Sequence, residues 1–385
     1  MSRLEELIQE YCPNGVEYKT ISDISIVSIG EFVHKNKQTP NGKYPVYNGG
    51  ISNTGYYTEY NRTANKIIIS ARGANAGFVN RVFCNYWSGN SCYSIEIIDE
   101  NTNWNYVYYW LKNNERKLLD DQQKGGIPAV SKKQVAKTII ALPPIPVQEE
   151  IVRILDCFTQ LTAELQAELA LQKQRFSYYK DIIIENIDKK YYVPLSTIAK
   201  QERGKNKGQR ITDAFSVTQK GIIRTTDYFG ENTKITSNNT SNYYILKPGW
   251  FAYSPSRINV GSFNYLRVNH DVIISPLNKV FSVDTDKIVP EFLYQYMTST
   301  TGFSKMLRFR EGIEGTGRWH LEFDDMAKME IPLIPVEKQN KIIDALKNFD
   351  VLCNDTLFGL PAEIQARQKQ YEYYRDKLLT FPPLP

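Results

Sequence analysis

The stretch PPIPVQEEIVRILDCF, beginning at Pro143, returns as PLIPVEKQNKIIDALKNF from Pro332. Ile151 matches Ile342 and Phe158 matches Phe349, each pair 191 residues apart. Both copies open on prolines, which suit a first helical turn but not a helix interior. In the first copy Val147, Ile151, Ile154, Phe158, Leu161 and Leu165 recur at spacings of 4, 3, 4, 3 and 4, the stripe of a helix that packs against another helix. No proline or glycine occurs from Val147 to about Ile187, so the spacing predicts one helix of roughly 40 residues, about 60 Å at 1.5 Å per residue. The end of that helix repeats as well. QKQRFSYYKDIII from Gln172 reappears as RQKQYEYYRDKLL from Arg367, so Tyr178, Tyr179 and Asp181 match Tyr373, Tyr374 and Asp376 at an offset of 195. The second copy therefore carries four extra residues midway, and it is interrupted at Gly359 and Pro361. A break is expected there, with a fresh helix from about Pro361 to Leu379.

The segments preceding each helical copy read differently. KYPVYNGG, NKIIISARG and SCYSIEII in the first, and NYYILKP, GWFAYSPS and DVIISP in the second, are short β-branched and aromatic runs separated by Gly, Asn and Pro turns. They also align with each other in order. Arg72, Asn75 and Gly77 match Arg257, Asn259 and Gly261; CYSI at Cys92 matches VFSV at Val280; YVYYWL at Tyr106 matches FLYQYM at Phe292. The chain thus reads as an α+β fold with an internal pseudo-twofold repeat. Two mainly β domains (1–145 and 189–334) are separated by long helices (146–188 and 335–385) that pair as an antiparallel coiled coil. Plain bundle packing is the alternative for the helices.

The 385 residues exceed what one core usually accommodates, and 42% hydrophobic with 23% charged residues are ordinary globular values. No apolar run reaches the roughly 18 residues of a membrane span, and MSRLEELIQEYCPNG has no signal-peptide pattern, so a cytoplasmic protein is expected. Five cysteines without a C-x-x-C pair and three isolated histidines offer no zinc spacing, so reduced thiols and no metal are expected. The net charge of +5 is unevenly spread. Residues 1–142 hold 16 Lys and Arg against 13 Asp and Glu, and 191–331 hold 18 against 14. The helical segments are acidic (143–190, 6 against 8) or neutral (332–385, 7 against 7). Basic β blocks suit a polyanion, and the helices suit protein.

Catalytic patterns are missing. ALPPIP and FPPLP lack the polar residue and aromatic of an adenine methyltransferase motif, and GIEGTGRW from Gly312 has Arg318 and Trp319 where a phosphate loop needs lysine and a hydroxyl. What each basic block does hold is Arg, Lys, Asn, Gln and Tyr on glycine-bearing loops. Arg matches guanine O6 and N7, Asn and Gln match adenine N6 and N7, and Lys and Tyr secure phosphates. Besides the repeated Arg, Asn and Gly, two cationic glycine loops stand out, QQKGGIPAVSKK from Gln122 and RFREGIEGTGRWH from Arg308. Each could equally be a solvated loop near a domain boundary.

MSRLEELIQEYCPNGVEYKTI, PPIPVQEEIVRILD, LTAELQAEL, QKQRFSYYKD, IPLIPVEKQNKIIDAL and LPAEIQARQKQYEYYRDKLL together resemble the specificity subunits of Type I restriction-modification enzymes, over essentially the whole chain. The resemblance implies two target-recognition domains, each reading half of a split site in double-stranded DNA, and helical regions that bind two methyltransferase subunits. It also implies two ATP-driven restriction subunits that join for cleavage. S-adenosylmethionine, ATP and magnesium would then be used by the partners, and no cofactor by this chain. Candidate DNA-binding residues are Arg72, Asn75, Lys124, Ser131 and Lys132 in the first domain and Arg257, Asn259, Arg310, Arg318 and Trp319 in the second. Tyr178, Tyr179, Tyr373 and Tyr374 are candidates for partner contact or for locking the helices together. The competing reading is a helix-linked adaptor whose β domains bind protein or glycan.

Overall fold

A computed structural model of the chain describes residues 3–118, 128–230, 239–312, 319–355 and 357–385. The side chain of Trp319 lies outside the description. Two compact units emerge. The first takes Met1–Gln166 together with Glu363–Pro385, and the second is the contiguous Ala167–Ala362.

In the first unit a four-stranded sheet is built from β1 (Ser25–Ile29), β2 (Lys66–Ser70), β3 (Val79–Val82) and β4 (Cys92–Ile97), in the order β1-β4-β2-β3. In the second, β5 (Ala199–Glu202), β6 (Phe251–Tyr253), β7 (Phe263–Tyr265) and β8 (Lys279–Val283) form a sheet in the order β5-β8-β6-β7, the same arrangement one repeat later. All its neighbouring strands are antiparallel. A second sheet accompanies each. Tyr44–Tyr47 pairs antiparallel with Gly55–Tyr57 and parallel with Trp87–Ser88, just as Ala214–Thr218 pairs antiparallel with Gly221–Arg224 and parallel with Val272–Ile274. Many apolar residues of these strands face the cores, while Ile26 and Ile29 of β1 are exposed. Ile67 and Ile69 are buried in the first unit, and Phe251 and Phe281 stack at 5.0 Å in the second.

Behind the sheets lie α1 (Trp104–Asn113) in the first unit and α4 (Pro290–Met297) in the second. The short α2 (Lys132–Lys137) and α5 (Phe323–Met326) each precede the strand that closes the domain. The expected 40-residue helix is present as α3 (Ile145–Glu185), 41 residues without interruption. The expected break is present too: α6 (Val336–Asn354) and α7 (Leu360–Leu378) replace a single second helix. Gly359 sits in the turn between them because a Cβ there would approach the Val351 carbonyl oxygen to 2.5 Å.

Each later helix packs against the part of α3 in its own unit. In the second unit Phe349 of α6 meets Phe176 at 6.4 Å and Tyr179 at 5.7 Å, while Cys353 lies by Lys173, so α6 runs antiparallel to α3. In the first unit Tyr374 of α7 stacks on Phe158 at 5.7 Å. The pairs Phe158–Tyr374 and Phe349–Tyr179 are images of each other in the repeat.

Two buried glutamines fix where the helices begin. The Gln148 side-chain oxygen accepts the Asn103 N–H at 2.8 Å, while its amide donates to the Asn101 oxygen at 3.0 Å and the Pro143 oxygen at 2.6 Å. Gln339 does the same with Val289 N–H at 2.8 Å, Lys287 oxygen at 2.8 Å and Ile334 oxygen at 2.7 Å. Each side chain therefore pairs three backbone groups, of which the Pro143 and Ile334 oxygens are in buried hydrogen bonds and would cost about 1–3 kcal/mol each if left unpaired.

The ends of the chain meet in the first unit. Val16 N–H donates to the Pro382 oxygen at 2.9 Å, Leu384 N–H donates to the Val16 oxygen at 3.0 Å, and the Tyr18 hydroxyl donates to the Phe381 oxygen at 2.6 Å. Gly15, at φ +105°, allows the approach, since a Cβ would stand 2.6 Å from the Pro382 oxygen. Leu379 and Phe381 are buried in the first unit's core.

Candidate nucleic-acid interface

The repeated Arg, Asn and Gly fall on equivalent hairpin turns, β2 to β3 in the first unit and β6 to β7 in the second. The turns close alike: Ser70 N–H donates to the Phe78 oxygen at 3.0 Å and Ser254 N–H to the Ser262 oxygen at 3.0 Å. Gly77 and Gly261 occupy the left-handed region at φ +82° and +81°, which accounts for glycine at both places. Counting from these closures, Asn75 and Asn259 are in step at an offset of 184, as are the glycines. The arginines are not. Arg72 aligns with Ser256, and Arg257 with Gly73, so the match of the two arginines is corrected by one residue. All four side chains are exposed.

A returning segment lies beside each turn. In the first unit Gly73 N–H donates to the Pro128 oxygen at 2.8 Å, Val130 N–H donates to the Ala71 oxygen at 2.8 Å, and Arg72 pairs with Ala129 as an isolated bridge. This puts the end of the first cationic loop, Ser131 and Lys132, next to the Arg72 turn. Lys124 lies outside the described residues. Ser131 is the N-cap of α2: its hydroxyl accepts the Gln134 N–H at 3.1 Å and the Gln134 side chain accepts the Ser131 N–H at 2.7 Å. Its hydroxyl is thus engaged in holding the helix, a duty that loop chemistry alone does not reveal. Lys132, at the first helical position, is exposed.

In the second unit the strand Trp319–His320 pairs with Glu311–Gly312 and lies along the Pro255–Val260 turn that carries Arg257 and Asn259. Arg310 is partly buried at the start of this hairpin. Arg318 lies outside the described residues, and of Trp319 only the backbone is described. The hydroxyl of Tyr253 donates to the Leu321 oxygen at 3.0 Å, tying the returning segment to the sheet.

Two arginine cradles escaped the sequence reading. Arg81 donates to Asn105 Oδ1 at 2.8 Å and to Asp156 Oδ1 of α3 at 2.9 Å, and sits 4.6 Å from the Tyr108 ring centroid. Burial works against its charge, but Asp156 and the Tyr109 and Tyr108 hydroxyls more than offset it and hold its pKa above the ordinary value. In the second unit Arg267 donates to Glu291 at 3.2 Å and sits 4.8 Å from the Tyr294 ring. Tyr108 and Asn105 correspond to Tyr294 and Glu291 at an offset of 186, so both cradles occupy the same place. Their arginines come from different positions, which is why no alignment of residues marks them. The first unit's cradle reaches α3 itself. In the second that task falls to Lys180, which donates to the Thr298 oxygen at 3.1 Å, and to Asp181, which accepts the Thr300 N–H at 2.8 Å. Burial pushes the Lys180 pKa down.

The tyrosines divide. Tyr179 and Tyr374 meet a ring of the opposing helix while 47% and 42% exposed, whereas Tyr178 and Tyr373, 63% and 62% exposed, are turned further to solvent.

Two copies of one exposed, glycine-closed turn, each backed by a returning segment, define a protein of two repeated units. A family model described as the Type I restriction modification DNA specificity domain matches residues 13–172 and again 185–366. The chain belongs to this family of Type I restriction-modification specificity subunits. It is 30% identical over 300 residues to the EcoR124I/EcoR124II specificity subunit of Escherichia coli, covering 74% of this chain and 72% of that one. It is 25% identical to a putative specificity subunit of Haemophilus influenzae, covering 98% of both. Among solved structures, the S subunit of a Type I system from M. genitalium superposes with a TM-score of 0.57 at 16% identity, covering 95% of this chain and 96% of that one. A chain from a structure of complex assembly and conformational transition in a Type I system gives 0.58 at 15% identity, covering 95% and 98%. Family membership sets aside the protein- or glycan-binding adaptor.

Proposed function

We propose that the first unit reads one half of a split duplex site through Arg72, Asn75, Lys124, Ser131 and Lys132. The second reads the other half through Arg257, Asn259, Arg310, Arg318 and Trp319. The observation that carries this is the recurrence of one exposed, polar, glycine-closed turn on the same edge of the same sheet in both units. The chain works without a cofactor of its own, in the cytoplasm, beside two methyltransferase subunits that use S-adenosylmethionine on adenine N6 and two restriction subunits that use ATP and magnesium. Methylome sequencing of a host with and without the gene tests it. A bipartite methyladenine motif disappears with the gene, and the purified chain alone transfers no methyl group; methyl transfer by the chain alone overturns the reading.

The exposed outer tyrosines, Tyr178 and Tyr373, are the partner contacts in this scheme. Their inner neighbours lock the helices. Tyr178→Ala with Tyr373→Ala lowers the amount of assembled complex seen by native mass measurement while the chain stays folded, and undiminished assembly excludes the partner role.

A further inference from the structure

At the edge of the first unit's interface is a cavity of about 330 Å³ whose lining includes Lys117, Lys133 and Lys137 together with Ser131, Gln134 and Thr138. Among the described residues no carboxylate lines it, and none of the three lysines has an ion pair. Lys133 and Lys137 stand one turn apart on α2, a like-charge spacing that destabilises a helix, and Lys117 comes from the separate turn Glu115–Leu118. Three lysines that line one cavity with no carboxylate beside them among the described residues, at a cost to the helix, suit an anion from outside. One of its lining residues, Ser131, follows directly on residues 128–130, which run beside the Arg72 turn.

The internal repeat supplies a control. Ser131, Lys133, Gln134 and Lys137 correspond, at the offset of 191 that relates the helices, to Glu322, Asp324, Asp325 and Lys328. Ser131 and Glu322 are the N-caps of α2 and α5. In the second unit the charge is reversed and closed upon itself. Lys328 is paired with Asp325 at 2.7 Å, and Glu322 with Lys279 at 2.7 Å and His320 at 2.5 Å.

We infer that the Lys117, Lys133 and Lys137 cavity binds backbone phosphates of the DNA flanking the first half-site, and that the second unit has no such grip. This rests on the DNA-reading function proposed above and adds an asymmetry between the two halves of the site. Phosphate contacts position a protein without reading bases, so the cavity contributes affinity and salt dependence but no specificity.

The test uses the full chain assembled with its methyltransferase subunits, bound to a duplex carrying its methylated motif, titrated between about 50 and 200 mM salt. The triple variant Lys117→Gln, Lys133→Gln, Lys137→Gln binds about tenfold or more weakly at low salt, and its log–log salt slope is shallower by about 0.9 for each phosphate no longer neutralised. Its methylated motif keeps the same bases in both halves. The corresponding triple Lys→Arg variant retains the parent slope, and Lys328→Gln in the second unit leaves it unchanged. The inference is overturned by an unchanged slope in the glutamine triple, by altered bases in the first half-site, or by loss of subunits with parent-like DNA affinity in what remains assembled, which would assign this face to protein. If the parent itself shows no salt-dependent duplex binding, the DNA-reading function fails first, a result distinct from any of these.

Discussion

A chain with a second copy of Thr162–Leu165, TAEL, inserted after Leu165 directs methylation by its partner subunits to the same two half-sites with about one more base pair between them. Four helical residues advance roughly 6 Å and rotate about 400°, a net of ~40°. One base pair turns DNA by about 35° over ~3.4 Å. The tetrapeptide therefore changes the offset between residues on either side by nearly the angle of one base pair, and its extra rise is absorbed by tilt or bending of the helix. Thr162–Leu165 is followed at once by QAEL, Gln166–Leu169, and the division between the two units falls at Gln166 and Ala167 inside the uninterrupted α3. The ring pairs Phe158–Tyr374 and Phe349–Tyr179 lie outside the insertion, each within its own unit, and Asp355 with Leu357–Gly359, which are non-helical, can take up the mismatch in the companion helices. A single alanine at the same point rotates one reader by about 100° away from its groove. Specific binding then falls toward the non-specific level, about 10³-fold or more. Motif determination on the methylated DNA checks both; an unchanged spacer after the tetrapeptide, or altered half-site bases, means α3 is not the ruler.

The second large effect is a separation of the two halves of the motif. Asn75→Ala or Arg72→Ala relaxes base preference in one half-site and leaves the other intact, at about 1–3 kcal/mol for each side chain that reads a base. Asn259→Ala or Arg257→Ala does the reverse. The asparagines, which are in step in the two turns, are expected to relax matching positions of their half-sites. The arginines, displaced by one residue, are expected to relax positions that do not match. Competition binding against single-base variants of each half-site measures this, and relaxation of both halves by one substitution in a folded chain rules out independent readers.

The helices were legible because their signal is local and long. A 4-3-4-3-4 stripe with proline before it and none within it admits one reading, and α3 spans Ile145–Glu185 as that stripe requires. The order of the sheets was not legible, because β1 pairs with β4 across some 60 residues of chain, and nothing in Ser25–Ile29 names Cys92–Ile97 as its partner. The turns were half legible. Glycine at Gly77 and Gly261 follows from a backbone requirement and repeats faithfully, whereas Arg72 and Arg257 answer to no such constraint and drift by one position. Gln148 and Gln339 were hidden by a different accident. PVQEEI and PVEKQNKI align at Pro-Val only if the glutamines do not, and the structure chooses the glutamines. The arginine cradles carry no local signal at all, since Arg81 and Arg267 reach one place from two.

The docking of residues 379–384 onto Cys12–Tyr18 bears on how the chain is finished at the ribosome. The second unit is contiguous and can close as soon as Ala362 has emerged. The first unit, begun earlier, lacks Tyr374, Leu379 and Phe381 until some two hundred further residues have been translated. At about 5–20 residues per second that interval is about 10–40 s. During it the first reading domain holds an open apolar groove, the kind of surface that chaperones shield and proteases find. A chain interrupted after its second reader but before Leu360–Leu378 keeps that apolar surface uncovered, the kind of exposure on which chaperones and proteases act.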